Sequence, residues 1–585
     1  MESKKMVDAN LKSYSEKSLN LAREQEEEVI DALEKGVNFL VEAGAGSGKT
    51  HTLMKVIDWI QNHKREEFEN STKKVVCITY TNAAVDVILE RLPNQSFIEP
   101  CTIHSFAWRA IKQYQLDLCL FLDKLENITP LEKEGVKHVE YSLGYRQKEG
   151  ETLHLSHNDV IHLFALMLGK EKFSKIFSQN YPLILIDEYQ DSPRIVINQF
   201  IEQFIKINRG TKFGFFGDSW QTIYNSKFSV GEINNISHLQ KFNKNVNFRS
   251  SPEIVAMLNR MRPDLPQEAA RTDLKGSVTV ITSEDFIGER QEGYHKGELP
   301  DDELKARLNK IQETLNSDTD TKNTHLLMLT HRYLARQNDY EEIFSHIEKK
   351  IKDESDEFVN FFVYIIEPAF EALRNQNIHL LRDILIKFNP IKDKKSKLLW
   401  RKFKDEITEA RTQKAIDVIR VIEKYQLIPL PESVKAWLDI YKVKPNEIYC
   451  SNKKTDISIR DFLELPYKQF ENLGKFYNKE ALFGTEHGSK GLEFDNVLCV
   501  LDKSWKYFDF AKSLPNSVNS SCYSTLNEND KLTRNLFYVI CSRPIKHLFI
   551  FISFQVELKF LRYLQDVFGA ENIVKCSDFL KKKSS

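Results

Sequence analysis

The sequence predicts an α/β protein built on parallel sheets, and three features carry that expectation. Short apolar runs alternate along the chain with amphipathic, helix-like stretches, the pattern of βαβ units. The first apolar run ends in a glycine-rich loop that leads straight into a helical pattern. A later run ends in two adjacent carboxylates. The apolar runs of the first half occupy residues 38–42, 75–79, 183–187 and 213–217, each closed by a turn or a polar group. A second strand-bearing region begins at 277–282, continues at 326–330 and resumes at 497–501 and 548–553.

A chain of 585 residues is too long for one hydrophobic core, so several domains are expected. Residues 111–157 break the first alternation with a charged, helix-like insertion. A second, longer insertion, rich in Lys, Glu and aromatic residues, has helical periodicity with breaks at Pro368 and Pro390. The expected division is a first core at 16–110 and 158–265, interrupted by 111–157, and a second at 266–340 and 479–580, interrupted by 341–478. Within the longer insertion, basic residues from Lys392 to Lys404 are interleaved with Trp400 and Phe403. That stretch reads equally as a surface for duplex DNA or a partner and as a solvated helix face with its aromatics in the core.

Composition narrows the class. The hydrophobic fraction is 41% and the charged fraction 29%, as in ordinary soluble globular proteins. Lys+Arg (83) and Asp+Glu (84) nearly cancel, so a nucleic-acid surface would have to be a local basic groove. The 8 cysteines are scattered without a C-x-x-C pair, which argues against a zinc or iron–sulfur site and fits a reducing compartment. Residues 1–17 are polar, and no stretch is long and apolar enough to span a membrane. A cytoplasmic protein without membrane partners is expected.

The glycine-rich loop reads Ala43-Gly44-Ala45-Gly46-Ser47-Gly48-Lys49-Thr50. A phosphate-binding loop needs glycines so that backbone N–H groups converge on the β-phosphate. It needs a lysine for the β- and γ-phosphates and a hydroxyl for Mg²⁺. All are present between a strand and a helix, with Ala43 where the first glycine usually stands. The paired carboxylates are Asp187 and Glu188. At the tip of a buried strand, one can hold Mg²⁺ and the other can orient or deprotonate water. ATP and Mg²⁺ are the expected cofactors, with Thr50 and Asp187 as metal residues.

With both sites placed, the chain resembles a superfamily 1 helicase of the UvrD/Rep/PcrA type from about residue 19 to 552. Gln25 stands where the family reads adenine. Residues 78–84 (ITYTNAA) and 102–106 (TIHSF) resemble its first single-strand-binding motifs. Residues 187–192 (DEYQDS) match its specific acidic motif, and 217–224 (GDSWQTIY) its coupling motif. Residues 247–250 (NFRS), 485–495 (TEHGSKGLEFD) and 535–543 (NLFYVICSR) match the remaining three. The resemblance implies two RecA-like cores of the P-loop NTPase class. It implies γ-phosphate sensing by Gln221, arginine fingers Arg249 and Arg543, and a ribose contact from Glu493. Tyr80, Asn82, His104 and His487 would face single-stranded DNA, with movement 3′ to 5′ on a strand or a 3′-tailed duplex.

Three departures stand out. Ser219 and Trp220 replace the usual Pro and charged residue of the coupling motif. Pro544 replaces the small residue after the last motif's arginine. Ser226 falls where relatives carry an aromatic that stacks on a base, leaving Phe228 as the expected substitute platform. The compact layout also resembles the helicase-like subunits of prokaryotic anti-phage systems such as Gabija, in which the nuclease is a separate chain. Two functions are therefore expected as alternatives: a DNA helicase or translocase, and an ATPase sensor gated by DNA ends that works with a separate nuclease subunit.

Overall fold

The computed structural model describes residues 14–582, apart from 70, 80–81, 91, 93–96, 127, 142–145, 223–227, 329–334, 336–337, 346–355, 376–380, 382–393, 452–455, 478–482, 486–491, 504–507 and 519–525. The chain divides into two compact units. The first takes residues 1–314, 490–497 and 506–585, and the second takes 315–489 and 498–505.

In the first unit, helix α1 (Glu16–Glu34) starts where the Ser15 side chain accepts from the Ser18 amide. It buries Ala22, Gln25, Val29 and Ala32, a three-and-four spacing that aligns one face against the sheet. Strand β1 (Asn38–Ala43) follows, then α2 (Lys49–His63), β2 (Val75–Thr79), α3 (Asn82–Leu89), β3 (Ile98–Thr102) and α4 (Ile103–Ile111). After the insertion come β4 (Leu183–Asp187), β5 (Lys212–Gly217) and β6 (Leu239–Lys244). These six strands form one sheet in the order β3-β2-β4-β5-β1-β6, and every neighbouring pair is parallel.

The inner strands are covered on both faces, which is why β2 and β4 read as apolar runs, whereas the edge strands β3 and β6 are mixed in sequence and partly exposed. Leu40, Val76, Ile78, Ile184, Ile186, Phe213 and Phe215 belong to the core on one face. Phe39, Val41, Val75, Cys77, Leu185 and Phe216 belong to the core on the other. Parallel strands all end on the same edge, so the loops after β1, β4 and β5 gather there, the usual place for a ligand in such sheets.

Helix α5 (Pro252–Met261) precedes β7 (Ser277–Thr282), helix α6 (Glu528–Cys541), β8 (Pro544–Ile552) and β9 (Ile573–Lys575). Strand β7 pairs in parallel with both β8 and β9, a second set of parallel strands in this unit.

The first insertion differs from its reading as a helical segment. Among its described residues, helices occupy Gln115–Phe121, a short 3-10 turn at Leu122–Lys124, and Pro130–Lys133, while strands His138–Tyr141, Gln147–Glu149 and Thr152–Leu155 form a small three-stranded sheet. Val139, Leu153 and Leu155 are buried by alternation, a two-residue period hidden among charged neighbours.

The second unit is mostly helical. Helices Glu357–Phe361, Glu367–Arg374, Lys394–Ala410, Ala415–Tyr425 and Tyr467–Tyr477 surround a core that includes Phe362, Phe370, Trp400, Phe403, Ile419 and Phe470. Trp400 and Phe403 are thus core residues, while Lys395, Lys397, Arg401 and Lys402 of the same helix are exposed. In that unit Leu326–Met328 and Phe483–Thr485 pair in parallel. Among the described residues no helix is long and apolar enough to cross a membrane.

Candidate nucleotide-binding site

The loop after β1 turns through two left-handed glycines, Gly46 at φ +70° and Gly48 at φ +75°. At Gly46 space is also closed, since a Cβ there would lie 2.7 Å from Asn247 Oδ1. The buried Asn247 holds the loop from above: its Nδ2 donates to the Ala45 carbonyl at 2.9 Å. Its Oδ1 accepts from the amides of Arg249 and Ser250, both at 2.9 Å. Gln267 Nε2 donates to the same Ala45 carbonyl at 3.0 Å, and the Phe248 amide donates to Gly46 O at 2.9 Å.

The loop feeds directly into the first turn of α2, where Lys49 and the exposed Thr50 begin the helix. The Ser47 hydroxyl is buried and has no hydrogen-bond partner among the described residues. An orphan hydroxyl, a glycine-lined turn and a helix N-terminus together fit a phosphate group. Lys49 Nζ lies 2.7 Å from Glu188 Oε2. Burial alone would lower the lysine's pKa, but Glu188, Asp187 and Asp218 outweigh it and the amine is held above its usual value. It is therefore cationic and stands beside these carboxylates at the first turn of α2.

Asp187 closes β4 and is buried, and Glu188 follows in the left-handed region at φ +48°. A non-glycine residue there costs roughly 1–3 kcal/mol and persists only where its surroundings hold it. The holder is visible: buried Gln190 donates from Nε2 to Glu188 Oε2, and its Oε1 accepts from the Asp218 amide at 3.1 Å. In this conformation the Glu188 carboxylate meets Lys49.

Two arginines complete the positive side. Arg543 is fully buried and donates from Nε to Val539 O at 2.9 Å, from Nη1 to Leu492 O at 3.2 Å and from Nη2 to Gln221 Oε1 at 3.3 Å. Burial, and then the positive charge of Arg249, push its pKa down to about 9. Glu188 and Asp218 offset this only in part, and a polyphosphate would add further negative charge. Arg249 Nε lies 2.8 Å from the half-exposed carboxylate of Glu493, and its Nη1 donates to Ser542 O at 3.0 Å. Gln25, on the buried face of α1, reaches Asn245 through Nε2 at 3.4 Å, while its Oε1 is buried with no partner among the described residues. That free acceptor fits an amino group such as adenine's.

The residues expected to meet a nucleic-acid strand are placed less completely. Tyr80 and His487 lie outside the described residues, as does Ser226. Asn82 opens α3. His104 lies in the first turn of α4, its ring 4.9 Å from that of His157. Burial and then His157 lower its pKa to about 4, so it is neutral at pH 7. Phe228 is 64% exposed. Its backbone oxygen accepts from the Arg194 amide at 2.8 Å, and the adjoining Ser229 bridges Pro193.

Sequence reasoning passed over several residues that shape this site. Glu42, next to the loop, looked like an ordinary strand end, although a buried carboxylate in an apolar strand is itself a signal of a partner. That partner, Arg262, caps α5 and carries no motif. Tyr189 donates to Glu42 Oε2 at 2.7 Å, and Tyr538 accepts from the Ala45 amide at 3.3 Å. Asn247 was legible only as part of a motif, not as a clamp.

Residues 25–227 match the family model described as an AAA domain. The chain is 22% identical to Gabija protein GajB of Bacillus cereus strain HuB5-5, over 98% of this chain and 99% of that one. To Gabija protein GajB of Bacillus cereus strain VD045 it is 24% identical, over 86% and 93%. To a probable DNA helicase of Mycoplasma pneumoniae it is 23% identical, over 45% and 59%. The chain carries an AAA-type P-loop domain and resembles UvrD/Rep-like helicases and the GajB proteins of Gabija.

Proposed function

We propose that this chain is a DNA-dependent ATPase that moves 3′ to 5′ along single-stranded DNA on two RecA-like cores. The observation that carries the reading is one constellation: Lys49 against Glu188 on the loop side, with Gln221 joined to Arg543 beside them. Backbone amides of residues 44–48 and Lys49 would hold the β- and γ-phosphates of ATP. Thr50 and Asp187 would hold Mg²⁺, which when bound neutralises charge on the phosphate oxygens. Glu188, released from Lys49 when the phosphates take that lysine, would accept the proton of the attacking water. Arg543 and Arg249 would meet the charge that builds on the γ-phosphoryl oxygens. Gln25 would read the adenine edge and Glu493 the ribose.

The test is ATP hydrolysis with and without single-stranded DNA. Turnover is expected to rise sharply with the strand, and affinity for it to fall steeply with salt, because bound phosphates release counterions. A rate indifferent to single-stranded nucleic acid at low salt would rule out the strand as the activator.

A second reading is favoured by the near full-length similarity to GajB. On it, the ATPase senses DNA ends, unwinds poorly and acts with a separate nuclease subunit in anti-phage defence. Phe228 distinguishes the two. Stacking one base on an aromatic ring is worth about 1–3 kcal/mol, and the ring of Phe228 is open to solvent. Phe228→Ala is expected to lower DNA-stimulated hydrolysis several-fold and to leave basal hydrolysis unchanged. Ser226→Trp is expected to improve strand displacement. A silent Phe228→Ala, in a protein that already unwinds duplexes processively alone, would favour the plain helicase.

A further inference from the structure

The departure of the coupling motif from its usual residues has a structural counterpart. Ser219 donates to Glu42 Oε1 twice, from its amide at 2.9 Å and from its hydroxyl at 2.7 Å. A proline there could supply neither donor. Glu42 Oε1 also receives Arg262 Nη2 at 3.0 Å, and Arg262 Nη1 reaches Asp218 Oδ1 at 2.6 Å. Asp218 Oδ2 accepts from Gln221 Nε2 at 2.8 Å, and Gln221 Oε1 accepts from Arg543. Glu42, Asp218 and Arg262 are each at most 2% exposed. Trp220, the other departure, has two guanidinium groups over its ring, Arg262 at 5.3 Å and Arg534 at 3.9 Å from the centroid.

We propose that Arg262 is a positioning residue for ATP hydrolysis, acting through Asp218 to fix the Gln221–Arg543 pair against the γ-phosphate. The inference rests on the ATPase reading above. Arg262 meets Glu42, Asp218, Asp264, Trp220 and Tyr538, none of them a residue assigned above to the nucleotide. One fork of its guanidinium grips Glu42, one residue before the phosphate loop begins, and the other grips Asp218, which caps the short turn Ser219–Gln221 that carries Gln221. The loop and the γ-phosphate sensor are thereby held in one register by a single planar group. A buried ion pair of this kind is a poor source of net stability, since desolvation offsets most of the attraction. It is a good source of fixed geometry, and the reaction needs γ-phosphate donors placed to within a fraction of an ångström. The Ser219–Trp220 pair fits this arrangement: the serine binds the acid of the pair and the indole offers its face to the base.

The test is a set of variants in the full chain, measured for ADP affinity, for kcat and KM, and for capture of ADP with aluminium fluoride, which mimics the transferring phosphoryl group. Arg262→Lys keeps the charge but cannot hold both carboxylates through a planar fork. It is expected to lower kcat about 100-fold and to leave KM and ADP affinity within about twofold. Capture of ADP with aluminium fluoride should fall in parallel with kcat. In a Gln221→Ala background the Arg262→Lys loss should largely vanish, because the relay then has nothing to position. Should Arg262→Lys fail to fold, Glu42→Gln, which keeps the shape and removes one charge, is to be run through the same cycle with the same non-additivity expected. Losses that simply add to that of Gln221→Ala, or an Arg262→Lys enzyme with wild-type kcat, overturn the relay alone. A wild-type chain that binds ADP but never hydrolyses ATP overturns the ATPase reading, and the relay with it.

Discussion

Glu188→Gln is expected to yield a folded protein that still binds ATP and hydrolyses it some 10²–10⁴-fold more slowly. The exchange keeps the volume and one acceptor of a half-buried side chain, so packing changes little. What is lost is the only function an amide cannot perform, accepting a proton from water. The structure adds a reason for binding to survive or even tighten. Lys49 is 2.7 Å from this carboxylate, and ATP must draw the lysine away from it. With glutamine opposite, that competition disappears. Lys49→Ala makes the contrasting prediction: nucleotide affinity and turnover both fall, because a buried cation aimed at the phosphates has gone. Phosphate release and ADP titration on the two variants separate the roles. Near-normal hydrolysis by folded Glu188→Gln removes that residue from proton transfer.

The parts of this site that were legible in the sequence are those where backbone chemistry dictates residue type. A loop that must pass through positive φ and lie against Asn247 needs glycine at position 46, so its signature is visible without a structure. The buried parallel strands announce themselves by unbroken apolar runs closed by Asp187 or Gly217. The first insertion was misjudged because two-residue alternation over only three or four positions, as at Thr152–Leu155, is too short to stand out among charges. In Lys394–Ala410 the sequence gives charge and aromaticity together, and only packing separates them: Trp400 and Phe403 face a core that includes Phe462 and Ile419.

The Glu42–Arg262–Asp218 cluster was illegible for a different reason. Its members lie 176 and 44 residues apart in pairs along the chain and follow no periodicity, since 218 − 42 = 176 and 262 − 218 = 44. Nothing local demands an arginine after Met261; the demand arises only when β1, β5 and the end of α5 meet. Burial of three charges has a large desolvation cost, and it is tolerated because each carboxylate also receives backbone or hydroxyl donors, from Ser219 and Tyr189 on Glu42 and from Trp220 on Asp218. Satisfied networks of this type specify one geometry.

Arg543→Lys should be the most damaging conservative substitution in the protein. Arginine fingers contribute about 10³–10⁵ in the turnover of nucleotide hydrolases. Arg543 has the environment for that role, being fully buried, with its Nη2 on Gln221 and its pKa drawn down to about 9 by burial and then by Arg249. In the resting protein Glu188 and Asp218 offset that burial only in part. Negative charge developing on the γ-phosphoryl oxygens would add to them, so the contribution of Arg543 is greatest in the transition state and small for ADP. Lysine would keep a charge but not the planar fork that spans Val539 O, Leu492 O and Gln221 Oε1 at once, and burial would press its amine toward the neutral form. Arg249 differs: Glu493 partly neutralises it and it is less enclosed, so Arg249→Lys should cost less. Single-turnover hydrolysis, with ADP affinity measured alongside, checks the order. The expected result is a kcat loss of about 10³-fold or more for Arg543→Lys with ADP affinity nearly unchanged, and a smaller loss for Arg249→Lys. Equal, modest losses would place both arginines in ground-state binding of the phosphates and leave Lys49 as the principal cation of the reaction.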